Sequence, residues 1–131
     1  MFATAFAKIT EPVILIGHSL GGSTLLKYLS EEKPAISISA LFLISTPHWE
    51  SNMKEFELKT NFQAFLKNIP AVFLYHSKGD PEVPFESLQF YKDSFRTAIV
   101  HGLPGKEHTF SKGLPELVED IKNLWQQNKK L

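Results

Sequence analysis

The chain has 131 residues, enough for a single domain, 1–131, built around one core. Fourteen Lys and Arg balance fourteen Asp and Glu, and no basic run interleaves with aromatics, which argues against nucleic acid and anionic membranes as principal partners. Cysteine is absent, which removes disulfides and thiolate metal sites. No apolar run exceeds about six residues, so no membrane span is expected.

The first stretch, Met1 to Ile9, lacks a basic n-region and reads as a short amphipathic helix rather than a signal peptide. On that basis a cytoplasmic location is the default expectation. Val13 to Ile16 is the first of four short, nearly continuous apolar runs. The others are Ile38 to Ile44, Ala71 to Tyr75 and Thr97 to Val100. Runs of that length with little in-out alternation suit parallel strands buried on both faces. Helical periods fill the gaps. Leu25, Leu26 and Leu29 share one face; Phe56, Phe62, Phe65 and Leu66 form a second stretch, divisible near Thr60 into two. Pro84 opens a third with Phe85, Leu88, Tyr91 and Phe95. Leu114, Leu117, Val118, Ile121, Leu124 and Trp125, spaced by threes and fours, form the clearest, and its polar tail from Gln126 is expected to fray. The order α-β-α-β-α-β-α-β-α predicts an α/β domain: a parallel sheet of about four strands with helices on both faces.

Between the first strand and the first internal helix stand Gly17-His18-Ser19-Leu20-Gly21. Strand, Gly-x-Ser-x-Gly, helix is the context in which a serine is lifted above a sheet on a strained turn. Glycine is expected at Gly17 and Gly21 because side chains there would meet the crossing backbone. The carboxyl ends of the strands are where such sheets bind ligands. His18 and Ser19 follow the first strand, Thr46, His48 and Trp49 the second, His76 and Asp80 the third, and His101, Glu107 and His108 the fourth. All five histidines are therefore expected at one edge.

A serine hydroxyl needs a base in hydrogen-bond reach, and that base needs an acid to orient it. Ser19, Asp80 and His108 occur in the chain order nucleophile, acid, base. Asp93, Asp120 and His101 are weaker rivals: the two aspartates fall on helix surfaces, and the histidine sits directly at a strand end. The Leu20 N–H, next after the nucleophile, is the candidate oxyanion donor. His18, His48 and Trp49 are candidate pocket residues, and the phenylalanines from Phe56 to Phe65 are read as core in preference to a lid. No His-x-x-x-His or His-Glu-x-x-His spacing occurs, and there is no Walker or Gly-x-Gly-x-x-Gly motif. No metal and no cofactor are expected.

Three segments carry a family resemblance: Gly17 to Gly22, Leu74 to Pro84, and Leu103 to Phe110. They resemble the α/β-hydrolases, and among these the small, nearly capless serine hydrolases related to the retinoblastoma-binding serine hydrolase. The resemblance implies a serine hydrolase acting through an acyl-enzyme on a small acyl substrate: an ester, thioester or small amide. It extends over essentially the whole chain but matches only the C-terminal part of the family fold. The implied earlier strands, and a loop giving a second oxyanion N–H, have no counterpart here, and Glu107 stands where the family commonly has glycine. An N-terminally truncated hydrolase of weak activity is one expectation. A non-catalytic interaction module is the alternative. Either way the outer edge of Val13 to Ile16 is left for self-association.

Overall fold

A computed structural model describes residues 2–10, 12–49 and 54–129. Their order is α1 (Phe2–Phe6), β1 (Val13–His18), α2 (Leu20–Glu32), β2 (Ile38–Ile44), a 3₁₀ turn (Lys54–Phe56), α3 (Gln63–Leu66), β3 (Val72–Ser77), α4 (Glu86–Ser94), β4 (Ile99–Leu103) and α5 (Pro115–Lys129). The predicted alternation is present. The Phe65 side chain and residues 50–53 lie outside the described residues. The last helix runs on through the tail expected to fray, as far as Lys129.

All four strands are parallel and lie in chain order, β1-β2-β3-β4. Each crossover therefore steps one place in the same direction. Right-handed crossovers of that kind put every intervening helix on one face. That is the arrangement seen. Leu25, Leu26 and Leu29 of α2, Leu66 of α3, and Leu88 and Tyr91 of α4 pack with Leu41, Leu43 and Leu74 in one core. Strand residues of opposite parity, Ala40, Phe42, Ile44, Phe73 and Tyr75, form a second core covered by α5 through Leu117, Ile121 and Leu124. The helices thus flank both faces unequally.

The inequality explains where burial departs from expectation. Every residue of β3 is buried, and all but one of β2. β1 alternates instead, because α5 sits over β3 and not over β1. By register Ile14 lies beside Ala40 and Ile16 beside Phe42, on the α5 face, yet they are 36% and 48% exposed. The α5 helix is itself pinned by polar contacts. Tyr75 Oη donates to Asp120 Oδ2 at 2.6 Å, and His101 Nε2 pairs with the same oxygen at 2.8 Å. Burial, followed by that bond, raises the Tyr75 phenol well above its ordinary value, so it remains a donor. No helix among the described residues is long and apolar enough to cross a membrane.

Candidate active site

Ser19 stands between β1 and α2 with φ 54° and ψ −122°. This region costs an L-residue on the order of 1–3 kcal/mol and persists only when neighbours over-determine it. They do. The Ser19 N–H donates to Ile44 O at 2.8 Å, and its carbonyl accepts from the N–H groups of Gly22 and Ser23 at 3.0 and 3.3 Å. The steric demand for glycine falls on Gly17, as expected, and on Gly22 in place of Gly21. A Cβ on Gly17 would come within 2.6 Å of Gly22 Cα, and one on Gly22 would overlap Thr46 Oγ1. Gly21 is exposed, and a Cβ there meets nothing within 4 Å. The turn closes by bringing positions 17 and 22 together, which leaves position 21 on the open side of the helix.

Asp80 follows β3 in a turn that satisfies both of its oxygens. Oδ1 accepts the N–H groups of Glu82 and Val83, each at 2.8 Å. Oδ2 accepts from His108 Nδ1 at 2.8 Å. Its side chain is fully buried. Burial alone would raise its pKa. The Val83 N–H, the His108 ring, the Glu82 N–H and the charge on His108 together outweigh that and hold it below the ordinary 3.8. Asp80 is therefore an ionised acceptor at neutral pH.

His108 lies in the loop after β4. With Nδ1–H directed at Asp80, its Nε2 accepts from Ser19 Oγ at 3.0 Å. Three residues from three separate loops thus form one hydrogen-bonded chain. A second group faces the same nitrogen: Glu82 Oε2 lies 3.4 Å from Nε2 on a side chain that is 64% exposed. The sequence reading missed Glu82, although it stands two residues after Asp80 in a motif already singled out.

A cleft of about 830 Å³ opens beside this chain. His48 and Trp49 line it, together with Phe90, Glu82 and Glu86. The His48 ring stacks on Phe90 with centroids 3.4 Å apart and planes 7° from parallel, and Trp49 stacks on Phe56. Ser23 fixes the wall from behind: Trp49 Nε1 donates to Ser23 Oγ at 2.9 Å, and Ser23 Oγ donates to Pro47 O at 3.2 Å. Leu20, first residue of α2, is 47% exposed and borders the same cleft. As the helix's first residue it has no carbonyl one turn back to receive its N–H. His18 is not among the lining residues; its ring is turned to the His108 backbone, where Nε2 meets the carbonyl at 2.6 Å.

The rivals are drawn elsewhere. Asp93 Oδ1 accepts from Gln89 on the surface of α4. Asp120 and His101 bond one another. His101 falls within β4, not at its end, because the strand runs through to Leu103. His76 is buried at the end of β3, bonds Val83 O at 3.0 Å and lies 3.7 Å from Asp80 Oδ2. The expected gathering of five histidines at one edge thus fails at His101.

Residues 1–110 match the profile of a family described as Serine hydrolase. No curated protein sequence matches the chain significantly. Several solved structures share its fold. Est1E from Butyrivibrio proteoclasticus superposes with a TM-score of 0.69 at 17% identity, over 99% of this chain and 67% of its own. That protein has also been solved with ferulic acid bound. The esterase domain of a Rhodothermus marinus protein gives 0.58 at 22%, over 83% of this chain and 56% of its own. A YdeN-like hydrolase of Pectobacterium atrosepticum gives 0.62 at 19%, over 94% and 66%. At these identities the likeness establishes the fold, an α/β-hydrolase fold in part, and the chain spans roughly half to two thirds of these neighbours.

Proposed function

The chain belongs to the serine hydrolase family, and from that premise we propose that it cleaves carboxylic esters, thioesters or small amides through an acyl-enzyme on Ser19. The observation that carries this is the continuous hydrogen-bond chain from Ser19 Oγ through His108 to Asp80. His108 Nε2 takes the Ser19 proton as Oγ attacks the acyl carbon, then returns it to the leaving group as the tetrahedral adduct collapses. Asp80, held ionised, keeps Nδ1 protonated and stabilises the imidazolium. Water, deprotonated by the same imidazole, releases the acid. The Leu20 N–H, next after the nucleophile at the start of α2, is the donor assigned to the developing oxyanion in this reading.

His48, Trp49 and Phe90 suit a flat or apolar acyl group. Glu82 and Glu86 on the rim disfavour acyl groups that carry a carboxylate of their own. A panel of nitrophenyl esters tests both points: neutral aryl and medium alkyl acids should be cleaved faster than dicarboxylic half-esters, and Ser19→Ala should abolish all turnover. Hydrolysis that survives Ser19→Ala contradicts the mechanism. A wild-type chain that turns over none of them, beside an active control hydrolase, leaves an interaction module as the better reading.

The β1 edge has a second consequence. The N–H groups of Val13 and Ser19 bond Ser37 O and Ile44 O, so residues 14, 16 and 18 present theirs to the outer edge, which no strand among the described residues covers. The partner we propose is a second copy of this chain, paired antiparallel. The edge carries neither proline nor a formal charge, and zero net charge sets up no repulsion between copies.

A further inference from the structure

The backbone carbonyl of His108 receives two side chains from two different strand ends. His18 Nε2 lies 2.6 Å from it, and Ser45 Oγ donates to it at 3.4 Å. His18 closes β1 immediately before Ser19; Ser45 follows β2 with φ 50° and is fully buried, its own N–H bonded to Tyr75 O at 2.8 Å. The two rings, His18 and His108, sit with centroids 5.1 Å apart.

This geometry points to a function for His18 that differs from lining a pocket. We infer that His18, assisted by Ser45, is a positioning residue that holds the base over the nucleophile. The inference rests on the hydrolase reading above. Residue 108 belongs to an irregular loop whose neighbours 104–107 are exposed. A ring at the end of such a loop is oriented by Asp80, but its distance from Ser19 depends on where the backbone of residue 108 lies. A carbonyl two covalent bonds from the Cβ of that same residue is the most direct handle on it. The handle is gripped by the residue adjacent to the nucleophile, so nucleophile and base are referred to one rigid point, the end of β1. The grip requires a proton on His18 Nε2, because a carbonyl only accepts. Misplacing a reacting group by about 1 Å can cost around a hundredfold in rate.

The test compares wild type, His18→Leu, His18→Gln and Ser45→Ala by the rate at which a fluorophosphonate labels residue 19. Thermal melting and histidine-ring NMR of the full chain accompany it. Leucine fills similar space without a donor; glutamine restores an N–H at nearly the same reach. His18→Leu should label ten- to a hundredfold more slowly, Ser45→Ala a few-fold more slowly, and His18→Gln should recover most of the loss. For nitrophenyl esters the Leu loss should fall on kcat and leave KM nearly unchanged. The far-downfield Nδ1–H resonance of His108 should broaden in the Leu variant and persist in the Gln variant. A folded His18→Leu that labels within twofold of wild type overturns the inference while leaving the hydrolase reading intact. A wild-type spectrum in which His18 Nε2 carries no proton overturns it without any variant. A wild type that resists the probe brings down both.

Discussion

At the scale of single residues, the site couples strain at Ser19 to charge at Asp80. Both make predictions of definite sign. Ser19→Gly and Ser19→Ala should each abolish hydrolysis, yet differ in stability. Alanine keeps the Cβ that makes φ 54° unfavourable, whereas glycine does not. The glycine variant should be more stable by about 1 kcal/mol in denaturant titration, and equal midpoints would show that the turn is unstrained. Asp80 works in the opposite direction, because its ionised form is favoured by folding. A carboxylate with a depressed native pKa adds stability that is complete above its unfolded value and lost as the pH falls through the native one. Wild type should therefore lose stability as the pH falls below the ordinary carboxylate value of 3.8, and Asp80→Asn should lose less. The same variant should lower kcat on the order of a thousand- to ten-thousandfold, because an amide no longer holds the productive tautomer.

At the scale of elements, the catalytic residues are carried by strand ends, and the helices behind them set the stability. Leu26 and Leu29 of α2 are fully buried in the core that α2 shares with α3, α4 and the sheet. Leu29→Ala should cost about 2–5 kcal/mol by chemical denaturation, with the nucleophile turn untouched. This is also the scale at which the sequence was most legible. Gly17, Ser19 and the flanking runs marked a nucleophile turn, and residue order placed Asp80 and His108 after successive strands. What escaped was contact that strand length and pairing alone decide. β4 proved longer at its carboxyl end than its apolar run, which carried His101 into the sheet and onto Asp120. Phe90 joined the cleft because it lies off the sheet-facing stripe that helical periodicity picks out. His18 turned to a backbone carbonyl, a partner with no signature in the residue pattern. Gly22, not Gly21, has no room for a Cβ, because the Thr46 side chain stands against it.

At the scale of the whole molecule, a sheet in sequential order places its helices unevenly and, among the described residues, leaves the outer edges of β1 and β4 unpaired and part of one face uncovered. That follows from crossover handedness and the position of α5, neither of which any local window of sequence contains. Antiparallel pairing of two β1 edges would place Ile14 and Ile16 of each copy against the other. Sedimentation velocity should show a concentration-dependent dimer, and Ile16→Lys should shift it to monomer; a chain that is monomeric at high micromolar concentration contradicts the proposed pairing.

The central claim is that Ser19 is made nucleophilic by His108. Intact-mass measurement after treatment with a fluorophosphonate, followed by peptide mapping, addresses it most directly. One adduct is expected, located on Ser19 and essentially lost in His108→Ala at neutral pH, with both proteins folded. An adduct on another residue, or an undiminished rate on Ser19 in the absence of the imidazole, would contradict it.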